Sequence, residues 1–187
     1  MSSRSKLINM FYKVATSSTR VRTLFTIVGG VLFFTIVGLF IVVSFWVDKS
    51  LKFPKLLPTP LNITVSVLII IIGLFLMLWS ALHFFKVKGT PVPFNPPAKL
   101  VTTGPYAYVR NPLLTGLFIL LFGLGVLLQS ISLVFIFTPL FILLNVLELK
   151  AIEEPELEKR LGKEYVEYKK RVPMFIPRLK MRTKRGL

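Results

Sequence analysis

Apolar and polar positions divide this chain into long blocks. Leu24–Val47 carries no charged residue, and Leu61–Phe85 has His83 as its one titratable group. Leu113–Gln129 and Ile131–Leu147 follow, both uncharged and separated by Ser130. A helix needs about 20 residues to cross a bilayer core of about 30 Å. The first two blocks meet that length, and the last two reach it by extending at their ends. Gln129-Ser130 reads as a short polar hinge, which makes those two a tight antiparallel hairpin. The blocks therefore predict an all-α, polytopic membrane protein of four transmembrane helices, at about 24–47, 61–85, 112–129 and 131–152. A single broken helix over the last two blocks fits no soluble domain this small.

Composition agrees. Hydrophobic residues make up 53% of the chain and charged residues 17%, yet the net charge is +16. Charge is thus confined to a few segments, and the rest suits lipid. There is no cysteine and one histidine, which excludes disulfides, thiolate chemistry and multi-histidine metal sites. No metal ligand set is expected.

Lysine and arginine set the orientation. Residues 1–23 form a basic segment with Arg4, Lys6, Lys13, Arg20 and Arg22. The following apolar run is longer than a signal-peptide core, so it reads as a retained helix. With four helices, every lysine and arginine except Lys49, Lys52 and Lys55 falls on one face. That face is expected to be the cytoplasm, with both termini there, and residues 24–187 are expected to form one membrane domain. Glycines within the helices predict close helix packing, and Pro139 predicts a bend in the fourth helix.

Two polar stretches interrupt this pattern. The first, within a cytoplasmic loop at 86–111, reads KGTPVPFNPPAKLVTTGPYAYVRNP from Lys88 to Pro112. So much proline forbids a regular helix but stiffens a loop, and Gly104-Pro105 signals a turn where a backbone approaches a ligand closely. A plain connection needs only a few residues. The second stretch begins the cytoplasmic segment 153–187, where Glu153-Glu154 precede LEKRLGKEYVEYKKRVPMFIPR. The two hairpin legs are each roughly 27 Å long. Arg110 and Glu153-Glu154 should therefore emerge beside one another at one face. A cation and two carboxylates flanking a pocket suit a zwitterionic ligand; a purely structural Arg–Glu pair is the plainer reading.

GPYAYVRNP, an apolar hairpin, then EEPELEKRLGKEYVEYKKRVPMFIP resembles the isoprenylcysteine carboxyl methyltransferase family, which groups with the phospholipid N-methyltransferases. The resemblance covers Gly89–Pro177, and GTPVPFNPP is similar to the loop that leads into the site in a prokaryotic subgroup. It implies a membrane methyltransferase in a prokaryotic cell membrane, with S-adenosylmethionine as methyl donor in a cytoplasmic pocket. Carried onto matching positions, Gly104, Tyr106, Arg110, Asn111 and Pro112 would form that pocket, with backbone contacts from Leu100 and Val101. Glu153 and Glu154 would hold the cofactor's amino group, and Tyr165, Tyr168 and Arg171 would close the pocket from below. Many relatives have histidine where this chain has Asn111 and tyrosine where it has Leu114. Asparagine still donates and accepts hydrogen bonds but does not titrate near pH 7.

Methyl transfer from a sulfonium asks the protein to align the reactants and exclude water. A lipophilic acceptor, either a carboxylate or a lipid amine, would enter between helices. Arg110, Asn111 and Glu148 are the expected catalytic residues; Asn145 and Glu148, three apart, share a helix face near the acceptor route. His83 reads as an interfacial histidine. Rival readings are a membrane reductase of related architecture and a non-catalytic scaffold or transporter subunit. The basic termini suit anionic lipid headgroups, not nucleic acid.

Overall fold

The computed structural model describes residues 3–86 and 100–177, with side chains at 4–83 and 100–177. Within them the chain is all-helical, without strands. The proline-rich stretch between Val87 and Lys99 and the basic end from Arg178 onward lie outside the described residues.

The first element, α1 (Ser3–Ala15), lies within the stretch expected to be only a basic segment. Thr16-Ser17-Ser18 separate it from α2 (Thr19–Leu51). At 33 residues α2 is longer than the apolar run alone, about 50 Å at 1.5 Å per residue. It takes in Arg20 and Arg22 at one end and Asp48 and Lys49 at the other, and it stops where Lys52 turns left-handed (φ 51°). Next come α3 (Leu61–Lys86) and, after the loop, α4 (Pro112–Leu127). The last rod runs continuously over Leu133–Leu161. It comprises a π turn (Leu133–Phe137), α5 (Thr138–Glu148), a second π turn (Leu149–Glu153) and α6 (Glu154–Leu161). Gly162 (φ 60°) breaks the rod and starts α7 (Lys163–Arg171). Pro139, where a bend was expected, follows the first π turn by two residues.

Among the described residues, three helices are long and apolar enough to cross a membrane: α2, α3 and the Leu133–Leu161 rod. The expected third span, α4, has 16 residues, about 24 Å and short of a bilayer core by itself. It turns into the rod at Leu128–Ser130 as the hinge predicted, with Gln129 left-handed at φ 58°. Its main partner, however, is α3. The reason is steric. A Cβ on Gly73 would stand 2.8 Å from the Gly116 carbonyl oxygen, and one on Gly116 would stand 2.7 Å from Met77 Cγ. The missing side chains let the two backbones approach closely.

Val37, Leu117, Phe118, Leu121 and Phe141 form the core, edged by Phe33, Phe40 and Phe175. Rings meet edge-on, as at Phe118–Phe141 with centroids 6.0 Å apart. Outside this core, Leu24, Val31, Phe34 and Trp46 on α2 and Leu68, Phe75 and Leu78 on α3 face outward, each more than half exposed. Apolar surface on that scale fits lipid as the solvent.

One end of the bundle is closed by polar side chains. The Asp48 carboxylate accepts the Ser130 hydroxyl through one oxygen and the Ser132 N–H at 2.9 Å through the other. The Ser132 hydroxyl donates to the Ser44 carbonyl at 2.8 Å. Ser130 Oγ also accepts the Leu133 N–H at 3.1 Å, capping the final rod. Beside it, the Gln129 amide pairs with both backbone groups of Leu57, at 3.0 and 2.8 Å. The sequence reading assigned Asp48 to a loop and gave it no role.

Candidate functional site

The site lies at the opposite end, where α4 starts and the rod finishes. The segment that reaches it is short and bent. A 3₁₀ turn, Gly104–Ala107, begins with Gly104 at φ 59°, a conformation that suits glycine. The same glycine leaves room for a neighbour: a Cβ there would lie 2.1 Å from His83 Nε2. His83, whose Nδ1 is 3.0 Å from the Trp79 carbonyl, is thus seated on the turn that opens the site. Sequence reading placed it at an interface and missed this contact.

From the turn the chain runs through buried Tyr106 and Val109 to Arg110 and Asn111, and Pro112 opens α4. The segment after α7 straps this stretch in place. The Arg110 N–H donates to the Pro173 carbonyl at 2.8 Å and the Asn111 N–H to the Met174 carbonyl at 3.1 Å. Phe175 then packs on Phe118, ring centroids 5.2 Å apart, so the strap joins the site to the apolar core.

Arg110 and Glu154 meet, as the leg lengths implied. Arg110 Nη1 lies 2.7 Å from Glu154 Oε1, with both side chains over nine-tenths buried. The other carboxylate oxygen lies 2.5 Å from Lys169 Nζ, which also reaches Glu158 at 3.0 Å. Arg110 Nη1 also donates to the Tyr165 hydroxyl at 3.3 Å, and the Tyr168 hydroxyl donates to the Tyr106 carbonyl at 2.7 Å. Tyr165, Tyr168 and Lys169 project together because α7 sets residues three and four apart on one face. Lys169 was missed by the sequence reading; its spacing from Tyr165 was the available signal.

Glu154 is therefore ion-paired with two cations, although its Oε1 makes no hydrogen bond of good geometry. Glu153 is half-buried and has no ion-pair partner among the described residues. Arg110 is engaged through Nη1, while its buried Nε has no hydrogen-bond partner. Burial, then Tyr168 and Glu153, push the Tyr106 phenol well above its ordinary range. Burial also pushes Tyr165 up; Arg110 opposes the shift, and Glu154 and Glu153 add to it. Tyr168 is raised by burial against the pull of Arg110. Both Tyr106 and Tyr165 thus lie within electrostatic reach of Glu153. A carboxyl group held out of water is favoured in its charged form by a cationic guest.

The π turn positions these carboxylates. The Glu154 N–H bonds to the Leu149 carbonyl five residues back. Bonding at that interval stacks Glu148 and Glu153, which an α turn would separate by about 140°. Glu148 is half-buried just before the turn. Asn145 instead donates to the Phe141 carbonyl of its own helix at 2.8 Å. Carbonyls at the turn are taken up from outside: Arg4 Nε of α1 donates to Ala151 at 2.9 Å and Nη2 to Lys150 at 3.5 Å.

The other sequence-predicted residues distribute as follows. Leu100 and buried Val101 begin the described segment and lead into the turn. The Asn111 side chain makes no capping bond; its carbonyl accepts the Thr115 hydroxyl at 2.8 Å. Arg171 is exposed and donates to the Glu167 carbonyl at 3.4 Å, away from the cluster.

Two comparisons with known proteins bear on this geometry. Residues 61–164 match the model of a family described as phospholipid methyltransferase. The match takes in α3 with His83, which the motif reading left out, and ends inside α7. Over 104 residues the chain is 36% identical to the nickel-cobalt-cadmium resistance protein NccN of Alcaligenes xylosoxydans xylosoxydans, covering 56% of this chain and 44% of that protein. The chain thus spans under half the length of that relative. No solved structure matches.

Proposed function

Because the chain belongs to the phospholipid methyltransferase family of membrane proteins, we propose that it methylates a lipophilic acceptor at the cytoplasmic face of a membrane, with S-adenosylmethionine as donor. The isoprenylcysteine carboxyl methyltransferases, which the motif order resembles, fall in the same family. The observation that carries the proposal is the pair of unspent polar groups around the buried Arg110–Glu154 bridge. The Glu153 carboxylate and Arg110 Nε lack partners in the described structure. Their opposite charges fit the ammonium and carboxylate of a bound amino acid.

When bound, S-adenosylmethionine supplies an electrophilic methyl group on a sulfonium centre. Glu153 holds the ammonium, Arg110 Nε takes a carboxylate oxygen, and Glu154 with Lys169 keeps the guanidinium aimed. Gly104 admits a close backbone approach, while Leu100 and Val101 offer main-chain contacts. Asn111 and Pro112 form the wall nearest α4. Tyr106, Tyr165 and Tyr168, held phenolic, exclude water. Glu148, stacked one π turn before Glu153, orients the acceptor where it arrives from lipid. An α4 of only about 24 Å completes a fourth crossing together with Tyr106–Asn111, in which Tyr106 and Val109 are buried and Tyr108 is exposed; four crossings suit both basic termini in the cytoplasm.

No metal centre is part of this reading. Among the described residues no group of three His, Cys, Asp or Glu is placed to hold one, and the metal-resistance name of the relative assigns no residue here.

Calorimetry on detergent-purified protein tests the proposal. Wild type and Glu148→Gln should bind S-adenosylmethionine and its demethylated product; Glu153→Gln should not. With radiolabelled donor, Glu148→Gln should transfer less label than wild type to isoprenylcysteine or phosphatidylethanolamine. Well-folded wild type that binds neither cofactor form would sink the proposal.

A further inference from the structure

Helix α1 takes no part in the cofactor reading, yet it is firmly placed. Arg4 holds the second π turn. Lys159 of α6 donates to Asn9 Oδ1 at 2.7 Å and sits 4.3 Å from the centre of the Tyr12 ring. Arg4 and Tyr12 are eight residues apart and so share the face turned toward α6.

The adjoining face is exposed. Lys6, Asn9, Met10, Lys13 and Val14 line a shallow concavity of about 400 Å³. Their spacing of three and four residues gathers them on one side of the helix. Helix α1 contains no acidic residue. No carboxylate among the described residues pairs with Lys6 or Lys13. Asn9 uses its oxygen on Lys159, which leaves its amide N–H groups to donate outward. The concavity thus offers two ammonium groups and amide donors over an apolar floor of Met10 and Val14.

Its position decides what fills it. Three residues separate α1 from α2, whose uncharged run starts at Leu24 just past Arg20 and Arg22. The concavity therefore lies at the boundary where α2 enters lipid. We propose that this face of α1 is a binding site for the phosphodiester headgroup of one anionic phospholipid of the surrounding leaflet. Lys6 and Lys13 straddle the phosphate, Asn9 donates to it, and the glycerol end lies on Met10 and Val14. The site is independent of the methyltransferase reading.

The test is native mass spectrometry of the full chain in neutral detergent, titrated with short-chain phosphatidylglycerol. Wild type should retain one lipid. Each lysine near an anionic lipid surface contributes roughly a factor of five, so Lys6→Gln/Lys13→Gln should weaken retention about 30-fold. Lys6→Arg/Lys13→Arg should restore it, and Lys163→Gln/Lys170→Gln, on the exposed face of α7, should leave it unchanged. Phosphatidylcholine should not compete, and glycerol 3-phosphate should displace the lipid poorly. Equal losses in both glutamine pairs, or undiminished retention in the first, would overturn the proposal. So would displacement by glycerol 3-phosphate as effectively as by lipid, since the site would then be one for free phosphate.

Discussion

The two ends of the bundle both draw carboxylates at least partly out of solvent, and they treat them differently. At the Ser130 end, Asp48 has both oxygens bonded to the chain and Gln129 completes a reciprocal pair with Leu57. At the Arg110 end, Glu154 is ion-paired with Arg110 and Lys169, but Glu153 has no ion pair and Arg110 Nε no hydrogen bond. A closed set of hydrogen bonds stabilises a fold. A buried set with valence left over costs stability unless a guest completes it. The contrast separates a structural knot from the end proposed above to hold the cofactor.

The sharpest challenge to that contrast is Arg110→Met. It leaves Glu154 buried with Lys169 as its one cation, and removing one partner of a buried pair costs about 3–5 kcal/mol. Thermal unfolding in detergent should fall accordingly, and cofactor binding should vanish with it. Asp48→Asn is the matching change at the closed end. One acceptor becomes a donor facing Ser130 or Ser132, with a loss of about 1–3 kcal/mol, while cofactor affinity measured by calorimetry stays at the wild-type value. Glu153→Gln should reverse the pattern. Unfolding shifts by no more than about 0.5 kcal/mol, yet affinity for S-adenosylmethionine falls at least tenfold, about 1.4 kcal/mol. If Asp48→Asn abolished binding, or Glu153→Gln unfolded the protein, the division between the ends would be broken.

The smallest effect is in alkali. Tyr106, Tyr165 and Tyr168 are raised above their ordinary 10.0, so the unfolded chain releases those protons before the folded one does. Lys169 is raised above 10.5, first by its hydrogen bond to Glu154, so the folded chain keeps that proton longer. Both kinds of shift leave stability intact below about pH 10 and remove it as pH climbs further. Lys169 is about one-third exposed, so solvent screens its share. Unfolding curves from about pH 9 upward should be flat and then fall, and Tyr165→Phe should make the fall shallower. An alkaline fall that Tyr165→Phe leaves unchanged would contradict this assignment.

Much of this site was legible in the sequence because helix length is a ruler. Two uncharged runs either side of Gln129-Ser130 put Arg110 and Glu154 at one level, and the structure has them in contact. What the ruler misses is anything without a local period. The second π turn has no signature in Leu149–Glu153, although it decides which carboxylate is left free. The strap at Pro173–Phe175 acts through backbone hydrogen bonds, which side-chain identity does not encode. Helix α1 was hidden because its apolar residues are broken up by polar ones and its partners, the Lys150 and Ala151 carbonyls, are far along the chain. Asp48 was missed for the same reason, and the α3–α4 seam shows how Gly73 and Gly116 can redirect a hairpin leg toward another neighbour.

The Asp48 knot also has a consequence in time. Its partners Ser130 and Ser132 are 82 and 84 residues downstream. Translation at about 5–20 residues per second leaves α2 waiting several seconds for them. Throughout that interval the carboxylate at its tip has only water or headgroups for company. The last rod to emerge is therefore the one that fastens the first span, and a chain cut short after α3 is left with a bare acid at the membrane edge, a mark by which an unfinished protein differs from a finished one.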